Sequence, residues 1–127
     1  VNAAQFNQIV NQSNKDIPTL MSELQRKVAL EALRRLVFRT RVRTGRARNN
    51  WQVGIGARPK EVLHPAKQKF NGDKSGRAAY ARCASGISKL PPFGVCHITN
   101  NVEYILYLED LDGMLAVTVN DIRAMFR

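Results

Sequence analysis

Cys96 and His97 are adjacent, a thiol beside an imidazole, and together they are the sharpest hint of nucleophilic chemistry in the 127 residues. Such a pair makes a thiolate only when the ring reaches the sulfur. Neighbouring residues of a strand point to opposite faces, so here the adjacency is accidental. The remaining thiol and imidazole, Cys83 and His64, complete no set. Neither histidine has a metal-ligand partner three or four residues on. Two isolated cysteines make neither a disulfide framework nor a zinc site. They are expected to be buried thiols. Gly54-Ile55-Gly56 resembles the start of a dinucleotide loop but lacks the third glycine and a following βαβ unit. Glu109, Asp110 and Asp112 lack the oxygen-rich spacing of a calcium loop. The chain thus offers no convergent catalytic group, no metal site and no cofactor motif, and the expectation is a protein that is not an enzyme.

What the sequence does offer is charge. Twenty Lys and Arg against ten Asp and Glu give a net charge of +10, which implies a polyanionic neighbour or an assembly around one. Nine basic residues lie between 26 and 48 against the single acid Glu31, and eight between 58 and 89 against Glu61 and Asp73. From residue 100 onward the balance reverses: Glu103, Glu109, Asp110, Asp112 and Asp121 face only Arg123 and Arg127. Arg39, Arg41, Arg43, Arg46 and Arg48 form the densest run. If extended, the first three share a face that tracks phosphates without reading bases. A solvated basic turn after a helix explains the same run. Trp51, the aromatic nearby, reads as core rather than as a stacking platform.

Several elements must position these residues. Residues 1–15 read as an arm, with Phe6, Ile9 and Val10 at helical spacing before a polar run. Asp16 and Pro18 give a helix start. From there Ile17, Met21, Leu24, Val28, Ala32 and Leu36, widened by Leu20, Ala29, Leu33 and Val37, predict one long amphipathic helix to about Thr40. Trp51, Val53 and Ile55 alternate as a half-buried strand. Residues 57–75, with two prolines and several lysines, read as a long basic loop that orders on docking. A short helix is expected over 76–90, ended by Pro91 and Pro92, and a second strand over 95–99. Tyr104, Leu108 and Leu111 mark a short helix, and Leu115, Val119, Ile122 and Phe126 a last one. The sum is a single α+β domain over 1–127: a long N-terminal helix packed on a small, mainly antiparallel sheet, with a C-terminal helix. No apolar run approaches the roughly 20 residues of a membrane helix. No secretory signal is seen at the start of the sequence, so synthesis in a cytosol is expected.

Three blocks then fall in a telling order: Thr44-Gly45-Arg46 leading to Trp51 and Val53; Asn100-Asn101 followed by Tyr104, Leu108 and Glu109; and Gly113-Met114 opening the last segment. Together they resemble the tail-component family of long-tailed lambdoid bacteriophages. That family has an Asp-Thr-Gly-Arg turn, a Trp-containing strand, an Asn-Asn-x-Pro-Tyr-Ala turn into a Leu-Glu helix, and a Gly-Met-Val opening. The likeness covers 44–122. Arg43 replaces the usual acid, Glu103 stands where the family has proline, and the stretch between Glu109 and Gly113 is short. Each block has a fold-making reading of its own. Gly45 is free to take a positive φ, Asn100 and Asn101 turn the chain and cap the helix near Tyr104, and Gly113 frees the backbone before the last helix.

The resemblance implies a structural virion protein, a tail-completion or head-tail joining subunit. It would form a homo-oligomeric ring, a hexamer on the family's pattern, between the head connector or adaptor and the tail tube or tail-terminator proteins. The genome would pass through it. On that reading Arg39, Arg41, Arg43, Arg46 and Arg48 lie near double-stranded DNA at the channel or rim. Glu103, Glu109, Asp110 and Asp112 meet basic residues of the next subunit. A tail-terminator ring and a small basic non-specific nucleic-acid-binding protein are the alternatives.

Overall fold

A computed structural model describes residues 2–63 and 72–125. His64, Phe126 and the middle of the expected basic loop lie outside the described residues. The first element, α1, is a helix of 37 residues, Ala3–Arg39. Asn2 starts it: its side chain accepts from the Gln5 amide at 2.8 Å while the Gln5 side chain accepts from the Asn2 amide at 3.1 Å. This reciprocal box satisfies two of the free donors at a helix start. The helix therefore begins at Ala3 and not at Asp16, which instead accepts from the Gln12 side chain. Pro18 stands inside the helix, where it removes one backbone hydrogen bond. The stretch expected as a separate arm is continuous with α1 in backbone. It is an arm in packing, because residues 2–14 are all exposed.

After a 3-10 turn over Arg48–Asn50, strand β1 (Trp51–Ile55) pairs antiparallel with β2 (Cys96–Asn100), with Trp51 opposite Asn100 and Ile55 opposite Cys96. Helix α2 (Arg77–Ile87) lies between them in sequence and packs on both α1 and β1. Helices α3 (Ile105–Asp112) and α4 (Met114–Ala124) follow, joined at Gly113 with φ +59°. The architecture is α+β, with a long N-terminal helix, a two-stranded antiparallel sheet and C-terminal helices. Gly45 also has the positive φ, +90°, that the turn after α1 demands.

The core sits against the C-terminal half of α1. Leu33, Leu36 and Val37 meet Trp51 of β1, Cys83 and Ile87 of α2, Val102, Leu108 of α3 and Met114 of α4. Burying each large apolar side chain contributes about 1.5–3 kcal/mol. The apolar repeats that mark the last two helices are only partly turned inward. In α4, Met114 and Thr118 are buried while Leu115 and Val119 are exposed, because Thr118 and Asp121 are held by Arg39 of α1 and fix the helix's rotation. In α3 Leu108 is buried and Leu111 exposed. No helix among the described residues is long and apolar enough to cross a membrane.

Candidate functional site

The three blocks that carry the resemblance converge in space. The Asn100 side chain donates to the Ala47 carbonyl at 2.8 Å and accepts from the Val102 amide at 3.1 Å. Asn49 and Asn50 donate back to the carbonyls of Gly45 and Arg46, at 2.7 and 2.8 Å, and Asn50 also accepts from the Leu63 amide. Trp51 Nε1 donates to the buried Thr40 hydroxyl at 2.7 Å, and that hydroxyl donates to the Leu36 carbonyl at 2.6 Å. At this junction the side-chain polar groups of Thr40, Asn49, Asn50, Trp51 and Asn100 thus each have a partner. These residues build the junction of α1, the turn and the sheet. The expected cap is not made: Asn101 instead donates to the carbonyls of Pro59 and Glu61, and no side chain caps α3 at Tyr104.

The arginine row is not an open face. Arg39 donates to Thr118 and, at 2.6 Å, to Asp121, which also receives Arg35 at 2.8 Å. Arg41 binds Asp112 through two hydrogen bonds, 2.7 and 3.0 Å. Arg46 binds Glu103 bidentately at 2.6 and 2.9 Å, with its guanidinium 5.8 Å from the Tyr104 ring centre. Its side chain is 9% exposed against 53% for Glu103, so the carboxylate reaches in from the surface to a nearly buried cation. Arg48 takes part in no ion pair among the described residues. It donates to the Thr40 and Phe38 carbonyls at the end of α1, and burial lowers its pKa. Of the five, Arg43 is exposed and takes part in no ion pair among the described residues.

The acids proposed for a subunit interface are engaged in the same way. Hydrogen bonds from Arg46 hold the Glu103 carboxyl below its usual range, and those from Arg41 do the same for Asp112. Glu109 caps α4, accepting from the Leu115 and Ala116 amides at 2.8 and 3.1 Å, a favourable place for a carboxylate. Asp110 alone of the four is exposed with no such contact among the described residues. Met114 is core and Gly113 links α3 to α4. Sequence reading missed Arg35 and Asp121 as the anchor between α1 and α4. Eighty-odd residues separate the partners, and no local spacing announces them.

Three surfaces remain unspent. Arg58, Lys60 and Lys74 are exposed and outside any ion pair among the described residues. An apolar groove of about 470 Å³ lies between α1 and the end of β2, lined by Leu24, Val28, Ala32, Leu90, Cys96 and Ile98 among others. The apolar positions of the first half of α1 are uncovered, Phe6 at 60% and Leu20 at 62% exposed. Both thiols have pKa values raised by burial, and Cys83 donates to the Trp51 carbonyl. Neither is an activated nucleophile. No cluster of three or more His, Cys, Asp or Glu that could hold a metal exists among the described residues. No family model matches the chain, and neither the curated proteins nor the solved structures contain a significant match to it.

Proposed function

We propose that the chain is a structural virion protein of a long-tailed bacteriophage, a tail-completion or head-tail joining subunit. It forms a ring, a hexamer on the family's pattern, between the head connector and the tail, through which the genome passes. The observation that supports this most is the agreement between the resemblance and the junction. Residues of blocks some fifty positions apart meet there: Trp51 stands opposite Asn100 in the sheet, and the Asn100 side chain donates to the Ala47 carbonyl next to Arg46. The likeness therefore falls on residues that build one unit of the fold, and that unit contains no reactive group.

The positive surface available to DNA narrows within the 39–48 run to Arg43 and extends to Arg58, Lys60 and Lys74, all exposed and in no ion pair among the described residues. Contact there is with phosphates and carries no sequence preference. Of the four interface candidates, Asp110 is the one exposed with no side-chain contact among the described residues, so its charge can be reversed with least disturbance of the fold.

In a lysate lacking this chain, DNA-filled heads and finished tails accumulate unjoined, and adding the purified protein restores infectious particles. Asp110→Lys restores them less well while folding normally. Heads and tails that join as efficiently without the protein contradict the proposal. A terminator ring differs in position: its loss leaves tails of irregular length.

A further inference from the structure

We infer that residues 2–24 of α1 form an assembly arm whose apolar stripe seats in the groove beside β2 of a second copy of this chain. The inference rests on the ring reading above and names the contact that joins its subunits.

The stripe comes first. Phe6, Val10, Ile17, Leu20 and Leu24 follow one another at steps of three, four or seven, with Ser13 as the one polar position in the series. All are exposed. At about 100° per residue they lie roughly opposite the face that carries Ser22, Ala29 and Leu33 into the core. A repeat averaging 3.5 residues is the spacing of a seam between packed helices. The segment also contains Pro18, which costs about 3 kcal/mol in a helix interior. A helix so interrupted, with nothing over its apolar side among the described residues, needs packing from elsewhere.

Charge then selects the occupant. Residues 2–24 hold Lys15, Asp16 and Glu23 as their only charged side chains, a net −1, alongside seven Asn and Gln. The other 104 residues carry +11. Bodies so alike in charge repel, and an arm of slightly opposite charge is the element through which copies meet. A lipid surface is disfavoured, because a helix lying on one has Lys and Arg along its polar side. A nucleic acid is disfavoured for the same want of cations.

The groove supplies the other half. The stripe runs through Leu24 directly into it, since Leu24 is also part of its wall. Exposed Lys27 and Lys89 adjoin its lining residues Val28 and Leu90 in sequence and complement Asp16 and Glu23. Among the described residues the sheet has two strands, and no strand pairs with the outer edge of β2. Asn and Gln amides of an incoming arm carry both donors and acceptors for that edge. The chain's own arm cannot fill its own groove. From Leu24 to Phe6 a continuous helix travels about 27 Å away from it. Arm into groove of the next copy is a head-to-tail contact, the kind that closes into rings.

Sedimentation velocity of the purified chain over a concentration series provides the test, with cysteine cross-linking for geometry. The wild type self-associates. Ile17→Asp with Leu20→Asp, both at exposed positions, raises the midpoint concentration at least about tenfold while helicity and urea unfolding stay unchanged. Phe6→Cys, Ile9→Cys and Val10→Cys are oxidised in turn, and peptide mapping finds a disulfide from an introduced thiol to Cys96 of another copy. A wild type that remains monomeric overturns the inference. So does association unaffected by the double variant, or failure of all three thiols to reach Cys96. Arm-to-arm disulfides alone overturn it as well. If the double variant associates normally while joining assays support the neck reading, the arm alone is lost. If the thiols link to Cys96 but heads and tails join without the protein, the neck reading falls and the arm stands.

Discussion

The two halves of α1 carry similar apolar repeats and meet opposite fates. Over 29–39, Ala29, Leu33, Leu36 and Val37 are buried, and the polar side is tied down by Glu31 to Arg34 and Arg35 and by Arg35 and Arg39 to Asp121. Over 3–24, Phe6, Ile17 and Leu20 are exposed and charged residues are few. The difference teaches that periodicity announces a face to be covered without saying by what. In one half the cover is the chain's own sheet and helices. In the other we assign it to a neighbouring copy.

The largest effect separating the halves is cavity formation. Leu33→Ala should cost about 2–5 kcal/mol in urea unfolding, whereas Leu20→Ala of the unassociated chain stays within about 0.5 kcal/mol. Equal costs would erase the distinction. Next comes the polar anchor at the end of α1. Thr40→Val leaves the buried Trp51 Nε1 without its acceptor and should cost about 1–3 kcal/mol, read from the same unfolding curves.

Acid should loosen the buried half selectively. Arg34 and Arg35 hold the Glu31 carboxyl at about 2, and Asp121, Asp112 and Glu103 are each lowered by the arginines that bind them. A depressed carboxylate stabilises the fold fully above its unfolded value, about 3.9 for Asp and 4.3 for Glu. That contribution is lost as pH falls through the folded value. Melting temperature should therefore decline between about pH 4 and pH 2, and Asp121→Asn should flatten part of that decline. A profile unchanged in the variant would remove the α1–α4 anchor from the explanation. The smallest effect on global stability is expected from Pro18→Ala, which restores a hydrogen bond inside the arm. Amide exchange across 3–17 slows while the urea midpoint holds, and a shifted midpoint would mean that the arm belongs to the core unit.

Much of the fold was legible in the residues. The alternation of Trp51, Val53 and Ile55 located β1 to the residue, whereas α2 ends at Ile87, four residues before the Pro91 and Pro92 expected to end it. The start of α1 was misread because Asp16 with Pro18 is a strong local signal. The Asn2 and Gln5 box that prevails is equally local but sits outside the apolar repeat. The rotation of α4 was misread because Leu115, Val119 and Ile122 outweigh Met114 and Thr118 in hydrophobicity. Polar contacts to Arg39 decide it instead. The candidate site was legible in composition but not in partnership. Arg41 with Asp112 and Arg46 with Glu103 join residues 71 and 57 positions apart, so a basic run and an acidic run, each plausible as a contact surface, largely neutralise one another inside a single chain.

The central claim, that this chain is a neck subunit of a phage particle, is tested most directly by counting it. Quantitative mass spectrometry of purified, DNA-filled particles against the portal subunit should find a fixed low number, about six for one ring at a unique vertex. Absence of the protein from finished, infectious particles would contradict the account.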